Sequence, residues 1–355
     1  MPVTNALPVV VVGAGIAGLC AAGELVRAGR RVLVVEKSRG IGGRMATRRV
    51  GGAVCDHGAQ FFTVRGRAFG GLVTDARAAG AVDTWCTGFG RAGSIGGAVE
   101  PAPDGHARWR GTRGMTDLPK WLLEHLAADG HGEPCLVTTN AKVASIGVAG
   151  DRVMVAVESE GRAATLEAAA AIVTAPVPQA LDLFAAGDAT LDVEARVALG
   201  TVAYDPCFAL MLVLDRPSLV PPPGGIQFAA DSPGPLAWIA DNMQKGISTV
   251  PALTVHATGD FSRAHFDAPP EAVTAMLLDA ARPWIDGDPA TVVVERSLHR
   301  WKFALPTTVL ESPLVVARQD PPLVCCGDAF GGPRVEGAAS SGLAAGRWLA
   351  RRLTT

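Results

Sequence analysis

The sequence predicts an α/β fold: a Rossmann-like nucleotide-binding domain assembled from separate pieces of the chain, with a second, mixed α+β domain. Three observations predict it. Near the N-terminus a β-branched run, Val9 to Val12, leads straight into Gly13-Ala14-Gly15-Ile16-Ala17-Gly18, a helical stretch, and a second apolar run ending in Glu36. Far along the chain, Leu323 to Cys326 is again a buried-strand run, followed by Gly327-Asp328, a loop and a C-terminal helix. Between them lies a group of strands with few parallel-sheet signals, the pattern of an antiparallel sheet.

Each element of the first segment has a reason. Four consecutive valines read as a strand buried on both faces. Gly13 permits a tight turn, Gly15 lets backbone approach a pyrophosphate, and Gly18 lets the following helix pack on the strand. That helix, Leu19 to Ala28 before Gly29, aims its positive dipole end at phosphate. Val32 to Val35 is the second strand. Glu36 lies eighteen residues after Gly18, where a carboxylate accepts hydrogen bonds from both ribose hydroxyls and repels a 2′-phosphate. The bound nucleotide is therefore FAD or NAD rather than NADP.

Composition narrows the class. The chain has 355 residues, 48% hydrophobic, with net charge −2, enough for one large domain or two sharing a core. Mixed charge excludes a nucleic-acid or anionic-membrane partner. The uncharged run Ala6 to Gly23 approaches membrane-span length. No basic residue precedes it and four glycines interrupt it, so neither a span nor a signal peptide is expected. Seven scattered cysteines, with no CxxC and no Cys/His cluster, indicate no metal, reduced thiols and a soluble cytoplasmic protein.

The next segment, Lys37-Ser38-Arg39-Gly40-Ile41-Gly42-Gly43-Arg44-Met45, is a second glycine cluster. It implies another close approach of backbone to ligand, and Arg44 offers a charge-assisted contact to phosphate. A plain NAD domain has no need of it; a longer dinucleotide does. The segment Asp56-His57-Gly58-Ala59-Gln60-Phe61-Phe62 then brings polar and aromatic groups toward the inner end of the ligand. His57 alone reads more readily as a structural histidine, and Gln60 and Phe61 as lining. Helices are expected at Phe69 to Ala79 and Thr116 to Leu126, the latter capped near Thr116, and strands at Val82 to Trp85 and Ala107 to Arg110. Leu136 to Thr139, Ala141 to Val148 and Val153 to Val157 read as a meander, with Val143 offering backbone groups to adenine. Ala170 to Thr174 returns to the sheet and Ala175-Pro176 ends it.

Val202 to Leu214, Ile226 to Ala230, Leu236 to Ala240, Leu253 to Ala257 and Val292 to Leu298 form the second domain's strands, with helices near Arg263 and over Pro270 to Ile285. At the C-terminal end Asp328 is placed to accept from a ribityl hydroxyl. The helix starting near Val335, with Glu336 and Gly337, is placed to aim N–H groups at the flavin N1–C2=O edge, favouring the reduced ring. A dinucleotide site at residues 13 to 44 and a ribityl-flavin site at 327 to 337 share one ligand only if it is FAD. The expected cofactor residues are therefore Gly13, Ala14, Gly15, Ile16, Ala17, Gly18, Glu36, Lys37, Gly43, Arg44, Met45, Gln60, Phe61, Val143, Asp328, Val335, Glu336 and Gly337.

The segments GAGIAGL, EKSRGIGGRMATRR, DHGAQFFT, Trp238-Ile239-Ala240-Asp241-Asn242, His256-Ala257-Thr258, His299-Arg300-Trp301-Lys302-Phe303-Ala304 and GDAFGGPRVEGAASSG together resemble the bacterial renalase-like FAD-dependent oxidoreductases, within the amine-oxidase-like flavoproteins. The resemblance implies a p-hydroxybenzoate-hydroxylase-like architecture. Its FAD domain is discontinuous (residues 1–65, 135–178 and 312–355), and its mixed substrate domain takes 66–134 and 179–311. It implies oxidation of 2- or 6-dihydro-NAD(P) to NAD(P)⁺, with noncovalent FAD passing electrons to O₂ to give H₂O₂. The sequence departs from that family at Met243-Gln244-Lys245-Gly246 and at Phe303, where tyrosine is expected. A dihydropyridine becomes aromatic on losing hydride, so no general base is required. No acid–base pair stands out here, and the ring needs only to be held. The pocket candidates are His57, Gln60, Phe61, Trp109, Trp238, Asn242 and Trp301, with Arg300, Lys245 and Arg263 as candidates for substrate phosphates. An amine oxidase on the same fold is the first alternative, weakened by a single tyrosine, Tyr204, and kept open by Lys302. A flavin-binding module without turnover is the second. A monomer or homodimer is expected.

Overall fold

The computed structural model describes residues 7–128 and 135–354. The chain divides into two compact units: Met1–Gly43, Pro119–Ala203 and Pro306–Thr355 form the first, and Arg44–Leu118 and Tyr204–Leu305 the second. Residues 44–65, assigned above to the nucleotide domain, fall in the second unit. Residues 179–203 fall in the first. The expected boundary after residue 134 abuts residues outside those described.

The first unit is built on a six-stranded sheet in the order Val315–Arg318, Leu323–Cys325, Ala170–Val173, Val9–Val12, Val32–Val35, Cys135–Thr138. Five strands are parallel and Val315–Arg318 pairs antiparallel at one edge. Every residue of Val9–Val12 and Ala170–Val173 is buried, the unbroken apolar pattern of strands covered on both faces. Cys135–Thr138 belongs to this sheet rather than to the meander. It is the edge strand, Leu136 is 49% exposed, and its alternating burial imitates a half-buried hairpin strand. The meander is instead Ala141–Ala149, Arg152–Ser159 and Arg162–Ala168.

The first helix spans Ile16–Arg27, three residues earlier than Leu19, with Gly15 at its N-cap. It packs on the C-terminal helix Arg334–Arg352. Small residues make that approach possible. A Cβ on Gly342 would lie 2.1 Å from the Ala17 carbonyl oxygen, and one on Gly346 2.5 Å from that of Ala21.

The second unit holds a seven-stranded sheet in the order Val293–Pro306, Tyr204–Leu214, Ala252–Ala257, Leu236–Asp241, Gly225–Phe228, Val82–Ala92, Val99–Gly111. It is antiparallel through its centre, except that Gly225–Phe228 runs parallel to Val82–Ala92. Strands 82–92, 99–111 and 293–306 run well past the expected limits, because exposed polar residues at their ends hide the strand pattern. One face packs Phe208, Leu210, Leu212, Ile239 and Val255 against Val273 and Leu277 of the helix Pro270–Ala281. Each such side chain contributes roughly 1.5–3 kcal/mol on burial. The opposite face meets the hairpin of Thr47–Val50 and Ala53–Asp56: Val50, Ala53 and Cys55 pack on Met211, Val213 and Ala252.

Thr116 directly precedes the helix Asp117–Ala128, and its side chain also ties the helix start to another segment. Its hydroxyl accepts from the Thr47 N–H at 2.8 Å and donates to the Met45 carbonyl at 3.1 Å.

Candidate active site

In the first unit, strand Val9–Val12 is a topological switch point. Its neighbours Val32–Val35 and Ala170–Val173 lie on opposite sides of it, and ligands of such sheets bind at the carboxyl ends of the strands. Gly13 to Gly15, Glu36, Thr174 and Gly327-Asp328 all follow the carboxyl ends of adjacent parallel strands. Gly13 adopts φ +104°, and a Cβ on Gly18 would sit 2.0 Å from the Gly13 carbonyl oxygen. Only glycine permits that turn. Above Gly15, by contrast, a Cβ would meet nothing within 4 Å, leaving backbone that a ligand can approach.

Glu36 is buried and its carboxylate is fixed. The Ala14 N–H donates to one oxygen at 2.9 Å and the Ser38 N–H to the other at 2.8 Å. The remaining lone pairs are those a ribose diol needs. Gly42 closes the second glycine segment onto the first, donating from its N–H to the Ala14 carbonyl at 2.8 Å. Lys37 is exposed and Val143 buried. Val143 lies at a register shift between the first two meander strands, where backbone groups leave the ladder.

At the C-terminal end the Gly327 N–H donates to Ser341 Oγ at 2.8 Å, and that hydroxyl donates to the Pro313 carbonyl at 2.6 Å. Asp328 is buried. The helix Arg334–Arg352 carries no side-chain N-cap and begins at Arg334 with φ +75°, a conformation costing about 1 kcal/mol or more outside glycine. Val335, Glu336 and Gly337 form its first turn. A Cβ on Gly337 would lie 1.9 Å from the Gly332 carbonyl oxygen. A glycine cradle, a ribose acceptor and a helix N-terminus on one sheet edge fit an adenine dinucleotide with a second, flavin-bearing half.

The second unit gathers the other candidates. Arg44, Met45, Gln60 and Phe61, expected at the cofactor, belong here. Arg44 donates to the Phe303 and Ala304 carbonyls at 3.3 and 3.4 Å. His57 stacks on Trp301, ring centroids 5.3 Å apart, and the Trp301 indole N–H donates to the His57 carbonyl at 2.8 Å. His299 meets both rings edge-on. It stands two residues from Trp301 on one strand, so both project to the same face. Gln60 Nε2 donates to the Asp56 carbonyl at 2.6 Å and the Gly58 carbonyl at 3.1 Å, and lies 3.4 Å from His256 Nε2. His256 is the cross-strand partner of Trp238, whose ring packs with Phe61, Phe89 and Trp85.

Burial, with His299, Arg48 and His256 nearby, pushes His57 down to about 3. Burial pushes His256 down to about 4, helped by Lys245, and His299 to about 4, helped by Arg48. All three imidazoles are neutral at pH 7.

Several candidates are occupied with the fold itself. Asn242 is wholly buried. Its amide donates to the Ala252 carbonyl and the Thr254 hydroxyl at 3.3 and 3.0 Å and accepts from the Asp56 N–H at 3.4 Å. Lys245, a candidate for substrate phosphates, forms a fully buried ion pair with Asp56, Nζ to Oδ2 2.6 Å. Arg263 is bound by Asp205 and Asp260. Arg300 donates to the Phe266 carbonyl at 2.6 Å and sits over that ring. Trp109 pairs its backbone with Phe62, and its ring lies under Arg77. Sequence reading placed His256 and His299 in the family-like segments but not among the pocket candidates. Their signal was positional: His256 faces Trp238 across the sheet, and His299 alternates with Trp301.

Comparisons with known proteins follow this geometry. Residues 11–76 match the NAD(P)-binding Rossmann-like domain, and residues 66–347 match the flavin containing amine oxidoreductase family. A protein of Mycobacterium tuberculosis named as a flavin-containing monoamine oxidase is 57% identical over 53 residues, 15% of this chain and 12% of that protein's length. Among solved structures, cyclohexylamine oxidase from Brevibacterium oxydans IH-35A superposes with TM-score 0.71 at 14% identity, covering 99% of this chain and 100% of its own. Aklavinone-11 hydroxylase, solved with FAD and aklavinone, gives TM-score 0.63 at 17% identity over 98% of this chain and 63% of its own. At those identities the likeness is one of fold. The match over 66–347 spans most of the sequence: the chain belongs to the flavin containing amine oxidoreductase family, and its cofactor is FAD.

Proposed function

We propose that this flavoprotein is a renalase-like oxidase of isomeric dihydronicotinamide dinucleotides, the 2- and 6-dihydro forms of NAD(P). What supports the reading is the burial of the second unit's polar cluster. His57, His256 and His299 are held neutral, and the Asp56 carboxylate is locked to Lys245. Tyr204, the one tyrosine of the chain, packs its ring on Phe303. Such a cluster has no counter-charge for an ammonium substrate. It suits a ring that gives up hydride and needs no proton removed.

FAD held by this chain would supply a two-electron acceptor for that hydride and a route for the electrons to O₂. Overall, one dihydropyridine, one O₂ and one proton give one pyridinium and one H₂O₂. Gly13 to Gly18, Glu36, Gly42-Gly43, Asp328 and the helix N-terminus at Val335 to Gly337 hold the cofactor in this reading. The residues of the second unit position the substrate. Trp301 and His57, tied by the 2.8 Å hydrogen bond, give a flat wall for the ring. The neutral imidazoles add no positive charge that would oppose formation of the cationic product.

Anaerobic mixing with 6-dihydro-NAD tests the reading: the flavin bleaches rapidly, and benzylamine and putrescine leave it yellow. The family match over residues 66–347 favours a second reading, an amine oxidase, and bleaching by the amines alone would establish it. Bleaching by neither would mark a flavin-binding module without turnover. Trp301→Ala slows reduction by 6-dihydro-NAD while FAD stays bound; an unchanged rate removes Trp301 from the site.

A further inference from the structure

The three cations expected at substrate phosphates, Lys245, Arg263 and Arg300, are committed to partners within the fold. Arg48 is placed differently. It stands on the strand Thr47–Val50, and its side chain reaches the long strand Val293–Pro306. On that strand Ser297, His299 and Trp301 alternate along one face. Arg48 Nη1 donates to Ser297 Oγ at 3.4 Å, and Nη2 lies 3.5 Å from His299 Nδ1. Both contacts are long for hydrogen bonds. Both partners are uncharged, since His299 is held neutral.

Among the described residues Arg48 makes no ion pair, whereas Lys245 is paired with Asp56, Arg263 with Asp205 and Arg108 with Asp104. Glu295, next along the same face of the strand, is exposed and its carboxylate lies against Gly51. A guanidinium carries five N–H donors in a planar fork, so two long neutral contacts leave most of them to an oxyanion.

The position of Arg48 indicates which oxyanion. The His299 ring links it to the wall proposed for the substrate ring: the His299 centroid is 4.3 Å from that of Trp301 and 4.8 Å from that of His57. An anion on Arg48 is therefore one imidazole away from a ring on Trp301, about the reach of the single ribose between a nicotinamide and its first phosphate. Arg48, Ser297, His299 and Trp301 are all partly exposed and His57 is buried, so the strip leads inward from solvent. Burial first, and then the Arg48 charge, pushes His299 down to about 4. The same charge opposes a pyridinium forming on the wall, and a phosphate seated on Arg48 cancels it.

We infer that Arg48 binds the phosphate nearest the nicotinamide ribose and is a specificity-determining residue for phosphorylated dihydropyridines. The inference rests on the proposed dihydronicotinamide reading and names the residue that anchors its substrate.

Calorimetric binding of nicotinamide mononucleotide and of nicotinamide riboside to the FAD-loaded protein tests the assignment without turnover, because the probes differ only by the phosphate. The wild-type protein binds the mononucleotide about tenfold or more tightly than the riboside, the worth of a hydrogen bond to a charged group. Arg48→Gln weakens the mononucleotide alone and brings the two affinities within about twofold. Arg48→Lys, a point charge without the fork, lowers the ratio about threefold. Added salt lowers the wild-type ratio and leaves that of Arg48→Gln unchanged. A residue that merely braces the strand would weaken both probes together and preserve their ratio. Thermal melts and flavin colour establish that the variants fold, and the Arg48→Lys result stands alone if Arg48→Gln does not. If 6-dihydro-NAD bleaches the flavin yet the ratio survives either substitution, the phosphate assignment is wrong and the oxidase reading remains. If neither probe binds and no dihydropyridine bleaches the flavin, both fall together.

Discussion

Removing the Lys245 ammonium should destabilise the second unit by several kcal/mol. Lys245 and Asp56 are both 0% exposed at the side chain, with 2.6 Å between Nζ and Oδ2. Burial alone pulls the lysine below its ordinary value, and the facing Asp56 carboxylate opposes that pull. The two carboxylate oxygens are unequal. Oδ1 accepts from the Thr47 hydroxyl at 2.5 Å and the Met115 N–H at 2.8 Å; Oδ2 accepts from Lys245. Lys245→Met keeps the length of the side chain and strands Oδ2 as a buried, unpaired charge, a change that costs about 3–5 kcal/mol. Entropy near 2.1 cal/mol/K per residue over 355 residues converts 4 kcal/mol to a Tm loss of about 5 °C. Urea denaturation followed by tryptophan emission is a suitable assay, because Nζ lies 5.0 Å from the Trp85 ring centroid. Adding Asp56→Asn should restore most of the loss, since the amide oxygen still accepts from Thr47 and Met115 while the charge is gone. A loss under about 1 kcal/mol for the single variant, or losses that simply add in the double, would show that the pair does not carry the burial assigned to it.

Glu36→Arg removes the acceptor held by the Ala14 and Ser38 N–H groups. The purified variant should lose most of its yellow colour, and full retention of FAD would refute the adenosine-ribose role. Gly18→Ala forces a methyl to 2.0 Å from the Gly13 carbonyl oxygen. It should cost about 1–3 kcal/mol as an overpacked turn and weaken FAD retention, measured by dialysis; unchanged stability would mean the turn is not tight. His57 is held near 3, below the roughly 6.5 of an unfolded chain, so the unfolded state binds the proton first. Stability is therefore complete above about pH 6.5 and falls as pH drops toward 3, with His57 alone accounting for about 2–3 kcal/mol by pH 4.5. His57→Gln should flatten that part of the pH–stability curve, and an identical slope would contradict the burial.

What could be read from residues in order was the half of the molecule whose chemistry is local. Val9 to Gly18 with Glu36, and Leu323 to Gly337, each carry strand, glycine turn and helix within a few dozen residues, so spacing alone fixes these glycine turns and helix starts. The Cys135–Thr138 strand escaped that reading, because an edge strand looks the same in sequence whether it joins a parallel sheet or a hairpin. The second unit's cluster was the tertiary structure's to decide. His57, His256 and His299 are separated by well over a hundred residues or lie on different strands, and only cross-strand register makes them neighbours. Lys245 looks in sequence like any solvated cation; folding carries it to Asp56, 189 positions away, and turns it from a candidate for substrate phosphate into a buried partner. A local motif fixes backbone geometry over a few residues. Charge state and burial depend on what the rest of the chain brings beside each group.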